Sequence, residues 1–405
     1  MAMALVAPAV QTQPIRLPPA SSAASPLGAA PQCGSAALVG AFTAAFTMGF
    51  TRRMRGLQAG ARELPAAPSE LTKLYWEEYG AHLLLAITLT SACAMLSAST
   101  SPCLAGLAGA LAVPIVIFQH DVRHLHHAGT TFEEKLSDVL VLVTGTCYGI
   151  LPWSGVHVKH HAFTGSYQGA VVAPALRNGV PGMGDLDDLA GPLRHGNPFE
   201  PARRSSTLRA LAAFLCILLT VSLFQGMFML QSLVGPLQKD TRAANDRAVI
   251  YKGAALTMAH LCLGLYLLGP AAYMMYSIGM SACLTLLTAP VHDARGVSSD
   301  YSADGYYARQ VAATANIAEH ESPLIRYFMM GNDYHIEHHL WPRVPGMKKQ
   351  QLSGYAKAFC AAQGLEYREV TLTEAWTHWA DEAFRLAGQP YQPAPDFGSH
   401  RSSEK

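Results

Sequence analysis

The stretch Leu83–His127, LLLAITLTSACAMLSASTSPCLAGLAGALAVPIVIFQHDVRHLHH, decides the fold of this chain. Its first 37 residues, Leu83–Gln119, carry no charged side chain, and Ser99–Pro102 interrupts the apolar pattern with residues that favour a turn. A helix needs about 20 predominantly apolar residues to cross a bilayer. The stretch therefore predicts two membrane-spanning helices of about 18 residues each, joined by a tight turn.

Three further apolar runs follow along the chain. Residues 139–158 are interrupted by glycines and by Pro152, so we predict that this run dips into the membrane or lies along its interface. Residues 210–238 predict one crossing, and residues 253–292, interrupted at Gly269-Pro270, predict a single net return. The sequence thus predicts an all-α polytopic membrane protein with about four transmembrane helices and additional interfacial helices.

The composition excludes several classes of protein. Half of the 405 residues are hydrophobic and only 14% are charged, against about 25% charged residues in typical soluble domains. A formal net charge of +1 offers no field for binding nucleic acid. The eight cysteines are scattered, with no Cys-x-x-Cys pair, so a disulfide framework is not expected.

The chain divides into four predicted regions. Residues 1–62 contain five arginines but no lysine and no acidic residue, which is typical of an organellar transit peptide; a disordered low-complexity tail is the alternative. Residues 63–345 form the predicted membrane domain. Residues 346–387 resemble a soluble helical cap, with helical patterns over 348–363 and 372–386, and the Pro/Gln/Ser-rich residues 388–405 predict a disordered tail.

Clusters of histidines are the feature of the sequence that indicates its chemistry. Ten of the seventeen histidines fall in three short stretches beside the apolar runs: His120–His127, His157–His161 and His335–His339. Residues three and four apart share a face of a helix, so each cluster is expected to point several imidazoles in one direction. Unpaired imidazoles at a membrane edge are costly, which favours metal binding over solvated surface histidines.

The number of histidines indicates two metal ions. Imidazole suits Zn, Cu, Fe and Ni, but a single zinc ion takes only three or four protein ligands and would leave most of these rings unused. Eight or nine histidines suit a di-iron site with open positions for O2. Asp121 and Glu337 lie inside the clusters and are predicted to accept hydrogen bonds from the imidazole N–H groups.

These motifs resemble the membrane fatty acid desaturase superfamily over roughly residues 78–350. The resemblance rests on His-Asp-x-x-His at His120, on Trp153 four residues before His157 in Trp-x-x-x-His-x-x-His-His, and on Asn332–Pro345, NDYHIEHHLWPRVP. The last string is similar to the acyl-lipid branch. It is preceded by Gln310–Ile317, which also resembles a segment of those enzymes.

The resemblance implies a set of nine iron ligands: His120, His124, His157, His160, His161, His292, His335, His338 and His339. Among these, His292 occupies the place of a family ligand between the second and third boxes. His127 is an alternative ligand in place of His124, since box one continues into further histidines. By the same resemblance, Asn316 is expected to hold a water beside one metal, and Trp153 to lie beside the site.

The leading hypothesis is an oxygen-dependent di-iron desaturase that acts on the acyl chain of a membrane lipid. The alternative enzyme class is an oxygenase with the same boxes: a carotenoid ketolase or hydroxylase, or a lipid hydroxylase. A histidine-lined metal carrier or sensor is a third hypothesis. The chain has no His-Pro-Gly-Gly haem segment, so an external donor is expected: ferredoxin in a plastid, or cytochrome b5 in the endoplasmic reticulum.

Overall fold

The computed structural model describes residues 64–125 except Tyr75, then 131–145, His161, scattered positions between 205 and 233, 247–292 and 306–387. The predicted segments 1–62 and 388–405 lie outside these residues, as do four predicted site residues: His127, Trp153, His157 and His160. The described part is mostly helical, which confirms the predicted all-α class. Three of its helical segments are long and apolar enough to cross a membrane: Ser69–Ser97, Pro102–Leu125 and Tyr251–Thr288.

The first two spans meet at the predicted turn. Helix α1 (Trp76–Ser99) ends where the apolar pattern breaks, and α2 (Pro102–Leu111) begins two residues after Thr100. The hydroxyl of Ser101 caps α2 by accepting a hydrogen bond from the Cys103 N–H, and proline suits the first helical position because it has no N–H to leave unpaired. Helix α3 (Val113–Leu125) continues the second span beyond Ala112.

Helix α4 (Phe132–Thr144) packs beside α3 and covers it. A capping box between Thr131 and Glu134 starts the helix, and Gly145 ends it in the left-handed conformation, with φ 67°. The Gln119 amide of α3 donates to the Ser137 carbonyl at 2.9 Å and accepts from the Thr144 hydroxyl at 3.0 Å. Because α4 ends at Thr144, it contains the first residues of the predicted run 139–158. Most of that run lies outside the described residues.

Helix α5 (Arg247–Thr288) reverses direction at Gly269, which adopts φ 74° and ψ 165°. In a straight helix His260 and Tyr276 would be about 24 Å apart along the axis, at about 1.5 Å per residue. Their ring centroids are instead 6.3 Å apart. A Cβ atom on Gly264 would lie only 2.4 Å from the Tyr273 ring. The two halves of α5 therefore pack against each other as a helical hairpin.

This hairpin corrects the predicted single return over residues 253–292. Each half, 251–268 and 270–288, is about 27–29 Å long, close to the thickness of the hydrocarbon core. The chain can reverse because glycine tolerates the positive φ and Pro270 has no N–H with which to continue the helical ladder. The predicted crossing at 210–238 falls on residues that the structure describes only in part.

Residues 306–387 fold around the ends of the spanning helices. Their predicted helical patterns over 348–363 and 372–386 are confirmed, the first beginning as a 3-10 turn at Gly346–Leu352. Two short strands pair in parallel, with Asn316 opposite Glu369. The elements in chain order are α6 (Tyr306–Ala312), β1 (Asn316–Ile317), α7 (Pro323–Met329), α8 (His335–Leu340), α9 (Ser353–Gln363), β2 (Glu369–Val370) and α10 (Leu372–Ala387).

Side chains tie this region to the rest of the fold. Trp376 of α10 donates from Nε1 to the Leu286 carbonyl of α5 at 2.8 Å. Trp341, directly after α8, donates to the Pro65 carbonyl at 2.8 Å, so the segment that precedes α1 lies against the third histidine cluster. The described residues thus place the ends of α3, α5 and α8 close together, and all three ends carry or adjoin histidines.

Candidate metal centre

Four histidines from three segments form the first group, called here the four-histidine group. His120 and His124 come from consecutive turns of α3, His161 from the second cluster and His338 from α8. All four are buried, and one nitrogen of each ring lies within 4.8 Å of the corresponding nitrogens of the others. Ligand nitrogens about 2.1 Å from one metal ion are separated by up to about 4.2 Å. A small inward adjustment would therefore let these rings bind one ion.

Three histidines form the second group, called here the three-histidine group: His292, His335 and His339. The Nε2 atoms of His292 and His335 lie 2.9 Å apart, and those of His335 and His339 lie 3.2 Å apart. His292 follows the end of α5 and is held by a bridge to Thr314. The two groups adjoin, since the ring centroids of His161 and His339 are 4.5 Å apart.

Helix α8 contributes to both groups, which differs from the predicted single direction of its histidines. His335 and His339 face the three-histidine group, whereas His338 faces the four-histidine group. The sequence spacing correctly predicted that these three rings lie on one short helix. It did not predict that the helix lies between two sets of ligands.

The hydrogen bonds of the Nδ1 atoms favour a metal ion between His335 and His339. His335 Nδ1 lies 3.3 Å from the Asn332 carbonyl, which can only accept, so this nitrogen donates. His339 Nδ1 lies 2.7 Å from Gln310 Oε1 and likewise donates. In a neutral ring the proton on Nδ1 leaves Nε2 with a lone pair. Two lone pairs 3.2 Å apart repel unless a cation lies between them, so this donor set suits a metal.

Asp121 supports the ring of His120, as predicted. The carboxylate oxygen Oδ1 lies 3.1 Å from His120 Nδ1, which leaves Nε2 for a metal. The other oxygen accepts from the Tyr79 hydroxyl at 2.6 Å and from the Gly346 N–H at 2.8 Å. A buried carboxylate is costly unless it is hydrogen-bonded. These donors satisfy it and connect α1, the first box and the loop after the third box.

Lys349 contacts the back of His338. Its ammonium is fully buried, donates to Asn332 Oδ1 at 2.6 Å and lies 2.9 Å from His338 Nδ1. Burial lowers the pKa of Lys349 to about 8, and burial together with the nearby Lys349 charge places the pKa of His338 well below its ordinary value. A neutral imidazole is the form that binds metal. If the Lys349 ammonium donates to His338 Nδ1, the neutral His338 ring carries its own proton on Nε2. A metal can bind Nε2 only after Lys349 and His338 together have lost one proton.

Two predicted supporting residues have different partners from those expected. Glu337 accepts from Asn316 Nδ2 at 2.8 Å and from the Tyr367 hydroxyl at 2.6 Å, rather than from an imidazole. Asn316 also accepts from the Ile336 N–H at 2.8 Å, so its amide joins β1 to α8 instead of facing a metal-bound water. Successive residues of a helix point in different directions. Glu337 of α8 therefore points away from both histidine groups, towards β1 and the segment before β2.

Replacing Tyr367 with phenylalanine should destabilise this support. Glu337 is fully buried, and burial raises its pKa. Loss of the hydroxyl removes one of its donors, which costs about 1–3 kcal/mol for a buried polar group. We expect a lower midpoint of thermal unfolding in detergent. Tyr355→Phe, at a position 43% exposed, is the matched control and should leave the midpoint unchanged; equal midpoints for both variants would contradict the assigned role.

Sequence reasoning missed several residues that hold the ligands. Tyr79 and Tyr367 lie far from the boxes along the chain, whereas Lys349 lies ten residues after the third box, and none of the three follows a linear pattern. Asn332 and Gln310 lie within the motifs quoted above, but the contact of Asn332 with Asp121 depends on how α8 meets α3, and that of Gln310 with His339 on how α6 meets α8. The predicted ligands His157 and His160, the alternative ligand His127 and the supporting Trp153 lie outside the described residues.

The sequence was also compared with known proteins. A family model described as fatty acid desaturase matches residues 94–371, which is more than half of the chain. The matched range begins within α1, ends just before α10 and includes both histidine groups. Comparison with curated proteins and with solved structures found no match.

Proposed function

Because the chain belongs to the fatty acid desaturase family, and is therefore an oxidoreductase, we propose that it introduces a C=C bond into the acyl chain of a membrane lipid. The observation that carries this proposal is the pair of adjoining all-histidine groups, buried except for the half-buried His292, at the ends of membrane-spanning helices. Such a position gives an apolar substrate access from the bilayer. It also keeps the ligands away from bulk water.

The two groups would hold one iron ion each. The four-histidine and three-histidine groups supply seven imidazoles, and His157 and His160 complete the proposed set of nine. When bound, two irons supply the electrons and open positions needed to activate O2 towards an unactivated C–H bond. The balanced reaction converts –CH2–CH2–, O2, two electrons and two protons into –CH=CH– and two molecules of water.

The chain's own residues orient the ligands and maintain a dry site. Asp121, the Asn332 carbonyl and Gln310 each hold one Nδ1 atom, so the Nε2 atoms of three rings face the centre. All but His292 of the seven imidazoles are buried, which strengthens electrostatic interactions and limits side reactions with water. The geometry of these supports is the contribution of the residues that the structure describes.

A separate protein would supply the electrons. The arginine-bearing, acid-free composition of residues 1–62 supports a plastid membrane as the location, with ferredoxin as the donor. The endoplasmic reticulum with cytochrome b5 is the alternative. The two are distinguished by which reductant supports turnover of the purified, iron-loaded protein.

Oxygenation is the second candidate function, as a carotenoid ketolase or hydroxylase or as a lipid hydroxylase. Its sequence support is His335–Pro342, in which His-x-Glu-His-His is followed by Trp-Pro, a pattern that is also similar to carotenoid ketolases. An all-histidine set is compatible with either outcome after the first hydrogen is removed. Desaturation removes a second hydrogen from the adjacent carbon, whereas oxygenation adds one oxygen atom.

The products in a host cell test the proposal. We expect a host that expresses the chain with a suitable reductant to accumulate a lipid that lacks two hydrogen atoms, detected by mass spectrometry of the fatty acid esters. His339→Ala, expressed to the same level, should produce none. A product that carries one additional oxygen would replace desaturation with oxygenation, and an unchanged lipid and pigment profile with iron-loaded protein would contradict both.

A further inference from the structure

We propose that Gln310 is a positioning residue that couples the two histidine groups, so that they take up metal as a pair. The inference rests on the proposed function, because it assumes that both groups bind iron. It assigns to one uncharged side chain of α6 a role that none of the histidine motifs reveals.

Gln310 contacts both groups at once. Its Oε1 lies 2.7 Å from Nδ1 of His339, a member of the three-histidine group. Its Nε2 donates to the main-chain carbonyl of His161, a member of the four-histidine group, at 2.9 Å. Gln310 is fully buried, and its own carbonyl accepts from the Thr314 hydroxyl at 2.7 Å, one turn further along.

These contacts determine the orientation of the amide and of the ring. A main-chain carbonyl only accepts hydrogen bonds, so the nitrogen of the Gln310 amide must face His161. The amide oxygen then faces His339 and requires the proton of that ring on Nδ1. His339 Nε2 is thereby directed, as a lone pair, towards His335 and His292. Correct placement of the His161 main chain thus favours the metal-binding form of His339.

The coupling follows from the rigidity of this connection. A metal ion bound by His161 would fix the main chain of that residue, and Gln310 would then hold His339 in place before the other ion binds. The second ion no longer has to order its own ligand, so it binds more tightly. Coupling between two sites typically changes affinity by about 5–150-fold, and the effect is reciprocal. One-iron protein should therefore be scarce during loading.

Iron titration tests this inference. We expect anaerobic addition of Fe²⁺ to the full chain in detergent to give mainly metal-free and two-iron species by native mass spectrometry. Gln310→Leu should accumulate the one-iron species at intermediate iron. Gln310→Glu retains an acceptor for His339 but places a carboxylate against the His161 carbonyl, so it should bind one iron tightly and the second weakly. Gln351→Glu, at an exposed position, should load as the unmutated chain does.

The possible outcomes are distinct. Paired loading that persists in Gln310→Leu would overturn the inference, and so would abundant one-iron species in the unmutated chain. The titration of the unmutated chain needs no variant, so it tests the inference even if a substitution prevents folding. Circular dichroism would detect such a loss of folding. Failure of the unmutated chain to bind any iron would instead contradict the proposed function.

Discussion

Replacing His338 with alanine should abolish the proposed desaturation and prevent the four-histidine group from binding its proposed iron, while the protein still inserts in the membrane. His338 is the member of that group contributed by α8, and its ring lies against those of His120, His124 and His161, with centroids 4.7–4.8 Å apart. A missing ring opens one metal position to water. Iron content should fall from two per chain to one or fewer, and activity should fall below detection.

His320→Ala is the matched control for this variant. His320 also lies close to the third box and stacks against Tyr334, with ring centroids 5.1 Å apart, but it belongs to neither histidine group. It should retain both irons and most of its activity. Iron content by elemental analysis and product formation should be measured on membranes with equal amounts of each variant. An active His338→Ala enzyme would contradict the assignment of this ring as a ligand.

The general architecture could be predicted because it depends on local chemistry. Uncharged runs long enough to cross a bilayer, a serine-proline turn and helical histidine spacing are all readable from short windows. The break at Ser99–Pro102 was predicted correctly, and Ser101 caps the helix that follows it. At Gly269-Pro270 the same reasoning found the interruption but not the reversal, because a glycine-proline pair signals a break and does not determine the angle between the helices that follow.

The division of the site into two groups has a similar explanation. Successive residues of a helix are rotated by about 100°, so His335 and His339 differ by about 40° and face the same way. His338 is displaced by about 60° from His335 in the opposite sense. With this separation the three rings could belong to one broad face of the helix or to two adjoining faces. Which of the two arrangements forms depends on where α3 and α5 lie. The supports at Lys349, Gln310 and Tyr367 depend on the same long-range packing.

Substituting alanine for Gly109 should have the largest effect on stability among the changes considered. Helix α2 crosses the second half of α5 at backbone contact, an arrangement that small residues permit in membrane helices. A Cβ atom on Gly109 would lie 1.9 Å from the Tyr276 carbonyl oxygen and 2.9 Å from the Met280 nitrogen. These are main-chain atoms, which cannot move aside as a flexible side chain would. Overpacking of this kind costs about 3 kcal/mol or more when backbones must separate.

Gly354→Ala provides the comparison, since Gly354 is also helical but a Cβ atom there would meet nothing within 4 Å. Removing the flexibility of a helical glycine should leave stability unchanged or raise it by up to about 1 kcal/mol. Thermal unfolding in detergent should therefore separate the two variants. Because α2 continues into α3 and α5 leads to His292, Gly109→Ala should also bind less iron. Equal unfolding midpoints and iron contents would show that the helices do not meet at Gly109.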